Sequence, residues 1–344
     1  MDQISRDRRA TLLRHLRERR RTLPRPPSEP GGVENAAGAD GATGADDVNS
    51  VGGANGANGT NGTGGVCGAS GNPVPLKRTG TGPPLFCVHP AGGSIFCYAE
   101  LARSPRLTCP VYGLQAEALE PGGRTYENVT AMAAAYVTAA ERVHRGGGWR
   151  LAGWSTGGLL AYAMACRLAG AGHRVDAVAM LDPPIPGPEG DWATGGIAVL
   201  ADFMEYLSDV TGIETVMTAG EIAALAPESR RAKVLARLGA SGAFPAGMNR
   251  LERMLAVFTH SREIMARYRP EPFDGPVLLL AAAGEPAKAR QAIALWRSLC
   301  GDRLRTVELP CRHAGLLRPP HLTTVTAELA RLLDPEEGDS WRTS

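Results

Sequence analysis

An α/β fold with a mostly parallel sheet is the architecture this sequence predicts, and three observations predict it. Short apolar runs recur at Leu85–His89, Val111–Gln115, Trp149–Trp154, Val175–Leu181, Pro276–Ala282 and Leu304–Leu309. Helix-like segments alternate with them, at Val129–Val143 and after Pro320 to about Leu333. Between the third run and the helix-like stretch Leu159–Ala169 lies a very tight turn, Gly153-Trp154-Ser155-Thr156-Gly157. Short apolar strands alternating with helices form a parallel sheet covered on both faces. In such sheets chemistry collects at the carboxyl ends of the strands.

The chain has 344 residues and divides into three stretches. Residues 1–22 read as a basic helix: Ser5 caps it, Leu12, Leu13 and Leu16 form one apolar patch, and arginines cover the rest. It is a candidate docking element. Residues 23–80 are rich in Gly, Pro, Ala and Asn and offer few side chains to bury, so chain entropy predicts a disordered linker. Residues 81–336 carry the strand–helix alternation, interrupted at about 188–272. There the segments Ile197–Val210, Ala219–Ala224, Arg230–Leu238 and Arg250–Tyr268 read as helices. They leave the sheet between two late strands and return to it, which predicts a helical lid over the strand ends.

Composition excludes several classes. A net charge of +2 gives no case for nucleic acid. No run of apolar residues is long enough for a membrane span. The seven cysteines are scattered, odd in number and free of CxxC spacing, which predicts reduced thiols in the cytoplasm and no metal site. No cofactor is expected.

The turn at 153–157 carries the chemistry. A serine between strand and helix takes a strained backbone, and glycines two before and two after remove side chains that would clash. Ser155 Oγ is thereby exposed above the sheet edge as a candidate nucleophile. The backbone N–H of Thr156, opening the helix, is a candidate oxyanion donor. A second donor is expected from the Gly-rich loop after the first strand, His89-Pro90-Ala91-Gly92-Gly93-Ser94, where we choose Ala91. His89 itself reads as structural. The base is expected to be His313, which follows the last strand; His321 lies further round, at the start of the final helix. Two carboxylates at strand ends compete to orient it, Asp182 and Glu285. Asp182 is favoured, being shorter and held by Pro183 and Pro184. The order Ser, acid, His excludes the chymotrypsin and subtilisin arrangements.

These residues resemble a family. Val88-His89-Pro90-Ala91-Gly92-Gly93, Val111-Tyr112-Gly113-Leu114-Gln115-Ala116, Leu151-Ala152-Gly153-Trp154-Ser155-Thr156-Gly157-Gly158, Met180-Leu181-Asp182, Trp296 and the His313 loop closely resemble the thioesterase domains of nonribosomal peptide and polyketide synthetases. The resemblance implies an α/β-hydrolase fold with a helical lid. It implies transfer of an acyl or peptidyl chain from a carrier protein's phosphopantetheine thioester to Ser155, then release by hydrolysis, cyclisation or transfer. Family members that end assembly lines carry the acid at the position of Asp182; many editing members carry it after the next strand, where this chain has no Asp. The first helix resembles the opening helix of synthetase modules, with no carrier, condensation or adenylation domain beside it. A monomer acting on a carrier protein or synthetase module is expected. The competing readings are an acyl or aminoacyl transferase using the same serine and a non-catalytic docking protein. In the lid, Phe203, Tyr206, Leu207, Phe244, Met254, Leu255 and Phe258 either line an apolar pocket or pack the lid itself. Asp202, Glu205, Asp209 and Arg253 would admit water if they face the cavity. Net hydrolysis to a free acid is expected.

Overall fold

The computed structural model describes residues 72–192, 195–211, 216–241 and 247–334. The expected helix at 1–22, the linker up to residue 71 and Phe244 lie outside the described residues. Among the described residues seven strands form one sheet: β1 (Val74–Lys77), β2 (Leu85–Val88), β3 (Val111–Leu114), β4 (Trp149–Trp154), β5 (Val175–Leu181), β6 (Val277–Ala282) and β7 (Leu304–Leu309). Their order across the sheet is β1-β3-β2-β4-β5-β6-β7. Only the edge pair β1–β3 is antiparallel; every other neighbouring pair is parallel.

Nine α-helices accompany the sheet among the described residues: α1 (Ala99–Ala102), α2 (Val129–Glu141), α3 (Thr156–Gly170), α4 (Gly196–Thr211), α5 (Ala219–Ala223), α6 (Arg230–Ala240), α7 (Met248–Arg267), α8 (Pro286–Cys300) and α9 (His321–Leu333). Two have side-chain caps that the sequence encodes locally. Asn128 accepts from the Ala131 N–H at 2.8 Å to open α2, and Thr218 with Glu221 forms a reciprocal capping box at α5.

The strands β2 and β6 are buried along their whole length, as their unbroken apolar sequences predict. Side-chain alternation divides the core between the two faces. Leu85, Cys87, Leu278 and Leu280 join the cluster packed by α4, α6, α7 and α9. Phe86, Val88, Val277 and Leu279 join the cluster packed by α2, α3 and Trp296 of α8. The excursion between β5 and β6 is helical, as the sequence predicts: α4 to α7 all fall within it.

Three features differ from the sequence reading. β1 lies before the expected boundary at 81, inside the stretch read as linker, and pairs Val74 with Gly113 and Pro75 with Tyr112. Four residues containing a proline are a poor strand signal, and a proline is tolerated there because β1 is an edge strand. Asn72 extends this anchorage, donating to Gln115 O at 2.7 Å and accepting from Gln115 N at 2.9 Å. The loop after β2 winds into a helical turn, Phe96–Tyr98, running into α1, and α8 joins β6 to β7; neither was anticipated.

Candidate active site

The β4–α3 turn places Ser155. Its φ of 57° is a backbone conformation that non-glycine residues rarely adopt. The neighbouring strand β5 and the first turn of α3 hold it there: Ser155 N–H donates to Leu181 O at 2.8 Å, and Gly158 N–H donates to Ser155 O at 2.9 Å. The flanking glycines are required by contact. A Cβ on Gly153 would meet Gly157 O at 2.0 Å, and a Cβ on Gly157 would meet Val88 O at 2.3 Å. The second of these approaches brings the loop after β2, which carries Ala91, against the start of α3, which carries Thr156.

Tyr98 fastens this junction from below. Its hydroxyl donates to Val88 O at 2.6 Å and accepts from Trp154 N–H at 2.7 Å, with the side chain fully buried. The ends of β2 and β4 are thus tied through one phenol, a residue that sequence reasoning missed. Its only signal was an aromatic in an apolar stretch, which any core tyrosine shares. His89 is structural, as expected. It is wholly buried, with Nδ1 2.8 Å from Pro90 O and Nε2 2.6 Å from Tyr136 Oη, and burial pushes its pKa down to about 4.

Asp182 ends β5 and reaches across the end of β6. Its N–H donates to Leu280 O at 2.7 Å, and its Oδ1 accepts from Ala282 N–H at 3.0 Å. Its φ of 47° is in the left-handed region that Asp tolerates better than most residues. Oδ2 then accepts from His313 Nδ1–H at 2.6 Å. This bond leaves Nε2 as the imidazole's free nitrogen. The ring is also held on its face: Trp154 stacks on it with centroids 4.7 Å apart, and Trp154 Nε1–H donates to His313 O at 3.3 Å. Trp154 was quoted in the motif but given no role from sequence.

Ser155, Asp182, His313, Ala91 and Thr156 all line one cavity of about 390 Å³. Among the described residues no hydrogen bond joins Ser155 Oγ to His313; contacts of this kind tighten when substrate binds. Glu285 also lines the cavity, but its carboxylate pairs with Lys288 at 2.8 Å instead of reaching the imidazole. His321 opens α9 and is not part of the cavity wall. The lid question resolves unevenly. Phe203, Leu207, Met254 and Leu255 are buried in the packing of the insertion, while Tyr206 and Phe258 line the cavity. Asp202, Glu205 and Asp209 face the cavity, whereas Arg253 turns away and donates to Leu119 O at 2.7 Å. Among the described residues no group of His, Cys, Asp and Glu side chains is arranged to hold a metal, and no helix is long and apolar enough to cross a membrane.

A strand–turn–helix serine beside a strand-end Asp–His pair, under a helical insertion, defines an α/β-hydrolase fold. Solved structures agree. A four-domain nonribosomal peptide synthetase matches with TM-score 0.68 and 25% identity, over 75% of this chain and 20% of that one. The Vlm2 thioesterase domain matches with TM-score 0.57 and 23% identity, over 75% of this chain and 96% of that one. The NocB thioesterase domain, in covalent complex with a fluorophosphonate nocardicin G analogue, matches with TM-score 0.53 and 23% identity, over 74% of this chain and 95% of that one. The family model for the thioesterase domain matches residues 83–333, and the chain belongs to that family. Among curated proteins, a dimodular nonribosomal peptide synthase of Bacillus subtilis (strain 168) is 29% identical over 273 residues. That alignment spans 76% of this chain and 11% of the relative. A probable non-canonical nonribosomal peptide synthetase of Salinispora arenicola (strain CNS-205) is 28% identical over 254 residues, 73% of this chain and 3% of the relative. The chain therefore spans a small part of the length of these curated relatives.

Proposed function

We propose that the protein is a serine thioesterase that releases an acyl or peptidyl chain from the phosphopantetheine thioester of a carrier protein in nonribosomal peptide or polyketide assembly. The observation that carries this reading is the 2.6 Å Asp182–His313 bond beside the Ser155 turn. Ser155 Oγ attacks the thioester carbonyl as its proton passes to His313 Nε2. Asp182 holds the ring in the required tautomer and stabilises the imidazolium. The backbone N–H groups of Ala91 and Thr156 receive the oxyanion, a contribution of about 3 kcal/mol per donor to the barrier. Collapse breaks the C–S bond, the thiol leaves with the proton from His313, and the chain remains as an ester on Ser155.

Water then attacks the ester, giving its proton to His313; that proton returns to Ser155 Oγ as the free acid leaves. The lining supports water as the acceptor, because Asp202, Glu205 and Asp209 keep the cavity wall polar. We further propose that the enzyme acts in the cytoplasm as a monomer without cofactor, on a chain delivered by a synthetase module. Fluorophosphonate should add once to the protein and not to Ser155→Ala. Turnover of an acyl-loaded carrier in heavy-oxygen water should give acid carrying one heavy oxygen. An unlabelled cyclic, amide or re-thioesterified product would establish transfer instead, and labelling that survives in Ser155→Ala would overturn the assignment of the nucleophile.

A further inference from the structure

The loop after β2 is fastened on either side of Ala91. His89 N–H donates to Leu114 O at 3.0 Å, Gly93 N–H to Pro90 O at 2.8 Å, and Ala116 N–H to Gly93 O at 3.0 Å. The second of these bonds closes a turn with Ala91 and Gly92 at its centre. Those two residues make no backbone–backbone hydrogen bond among the described residues. The Ala91 N–H is thus left for a ligand, and its direction depends on how the turn is held.

The helical insertion holds it. A Cβ on Gly92 would collide with Cε1, Cζ and Oη of Tyr206, on α4. Gly92 lacks the left-handed φ that Gly93 has, at 81°, so the ring and not the backbone requires a glycine there. A Cβ on Gly93 would in turn lie 2.9 Å from Val257 Cγ1, on α7. Tyr206 is itself fixed. It is 9% exposed, and its ring centroid lies 5.4 Å from that of Phe258 and 6.4 Å from that of Phe203. Arg318, in the segment after the His313 turn, donates to the carbonyls of Ser208 and Asp209 near the end of α4. The Tyr206 hydroxyl lies beside the Gly92 backbone without a hydrogen bond of good geometry, so the contact is one of shape.

We infer that Tyr206 is a positioning residue, whose ring presses on Gly92 and keeps the Ala91 N–H aimed at the oxyanion formed over Ser155. The inference rests on the serine thioesterase reading and adds a residue to it. A donor aimed at the oxyanion acts in the transition state, so losing its aim lowers kcat and kcat/KM together and leaves KM in place. The insertion and the oxyanion site are then one mechanical unit: α4 cannot leave the sheet without releasing the turn.

The experiment uses the purified full chain and a small acyl N-acetylcysteamine thioester. Tyr206→Leu keeps apolar bulk against Phe203 and Phe258 but removes the atoms over Gly92. It should lower kcat on the order of 10²-fold with KM little changed. The Ki of an alkylboronic acid, which forms a tetrahedral adduct on serine, should rise by a similar factor. The acid limb of the pH profile, which reports His313, should stay in place. Tyr206→Phe keeps the ring and should keep most of the rate. Gly92→Ala approaches the same contact from the other side and serves even where the Tyr206 variant misfolds. It should slow wild type strongly, and slow Tyr206→Leu much less, because its collision partner is gone. A loss confined to KM, a boronic acid Ki that does not move, equal losses in Tyr206→Phe and Tyr206→Leu, or an undiminished Gly92→Ala penalty in the Leu background would each overturn the inference. Fluorophosphonate labelling of wild type separates the two levels. Labelled enzyme without these effects sinks the role of Tyr206 alone, and wild type that cannot be labelled sinks the thioesterase reading with it.

Discussion

Asp182 reaches His313 across an intervening strand: Oδ2 meets Nδ1 at 2.6 Å while Oδ1 is held by Ala282 N–H at the end of β6. Asp182 and His313 follow β5 and β7, which β6 separates. Three strand ends therefore fix one imidazole, and Trp154 from a fourth strand, β4, covers its face.

That relationship predicts an asymmetry between the two acids. Asp182→Asn should lower kcat on the order of 10⁴-fold, because the amide presents the wrong partner to Nδ1–H and misplaces the tautomer. Glu285→Gln should change kcat little, since its carboxylate pairs with Lys288 at the mouth of α8. Steady-state kinetics on a small thioester measures both, and the reverse ranking would move the orienting acid to the later strand.

Tyr98→Phe tests the tie beneath Ser155. The substitution removes the partner of Trp154 N–H and a 2.6 Å bond to Val88 O in a fully buried setting. A buried backbone group left unpaired costs about 1–3 kcal/mol. Urea unfolding should show a lower midpoint at unchanged m, and kcat should fall because Trp154 precedes Ser155. Equal midpoints for the two proteins would show that the hydroxyl carries no stability.

His89 makes stability pH-dependent. Its pKa is about 4 in the folded protein, lowered by burial, against 6.5 unexposed to that burial. Between those values the unfolded chain binds a proton that the folded one refuses, so stability falls as pH drops from 6.5 toward 4 and is unaffected above. The full loss amounts to about 3 kcal/mol. His89→Gln should flatten this part of the stability–pH curve, and denaturation at a series of pH values reads it directly.

Removing residues 1–67 should leave turnover of a small thioester unchanged, because the folded anchorage begins at Asn72 and β1. Any role of the basic stretch in partner choice should appear only as slower turnover of the cognate carrier. Loss of small-thioester activity in the shortened chain would place part of the catalytic unit before Asn72.

What the sequence determined by itself was local. The Ser155 turn was legible because strand, turn and helix are contiguous and the glycines two residues to either side admit few other backbones. The parallel core strands were legible because burial on both faces leaves an unbroken apolar run. β1 was not legible: four residues with a proline become a strand only because β3 offers them an edge. The choice between Asp182 and Glu285 could be weighed in sequence, but the tertiary contacts separate them: Asp182 spans the end of β6 to reach the imidazole, while Glu285 turns to Lys288. The same holds for the cavity wall. Spacing shows that Asp202, Glu205 and Asp209 share a face of α4, but what a helix face meets depends on how the insertion folds back over the sheet. That is set by packing between segments far apart in the chain, so only the tertiary structure turns three acids toward Ser155.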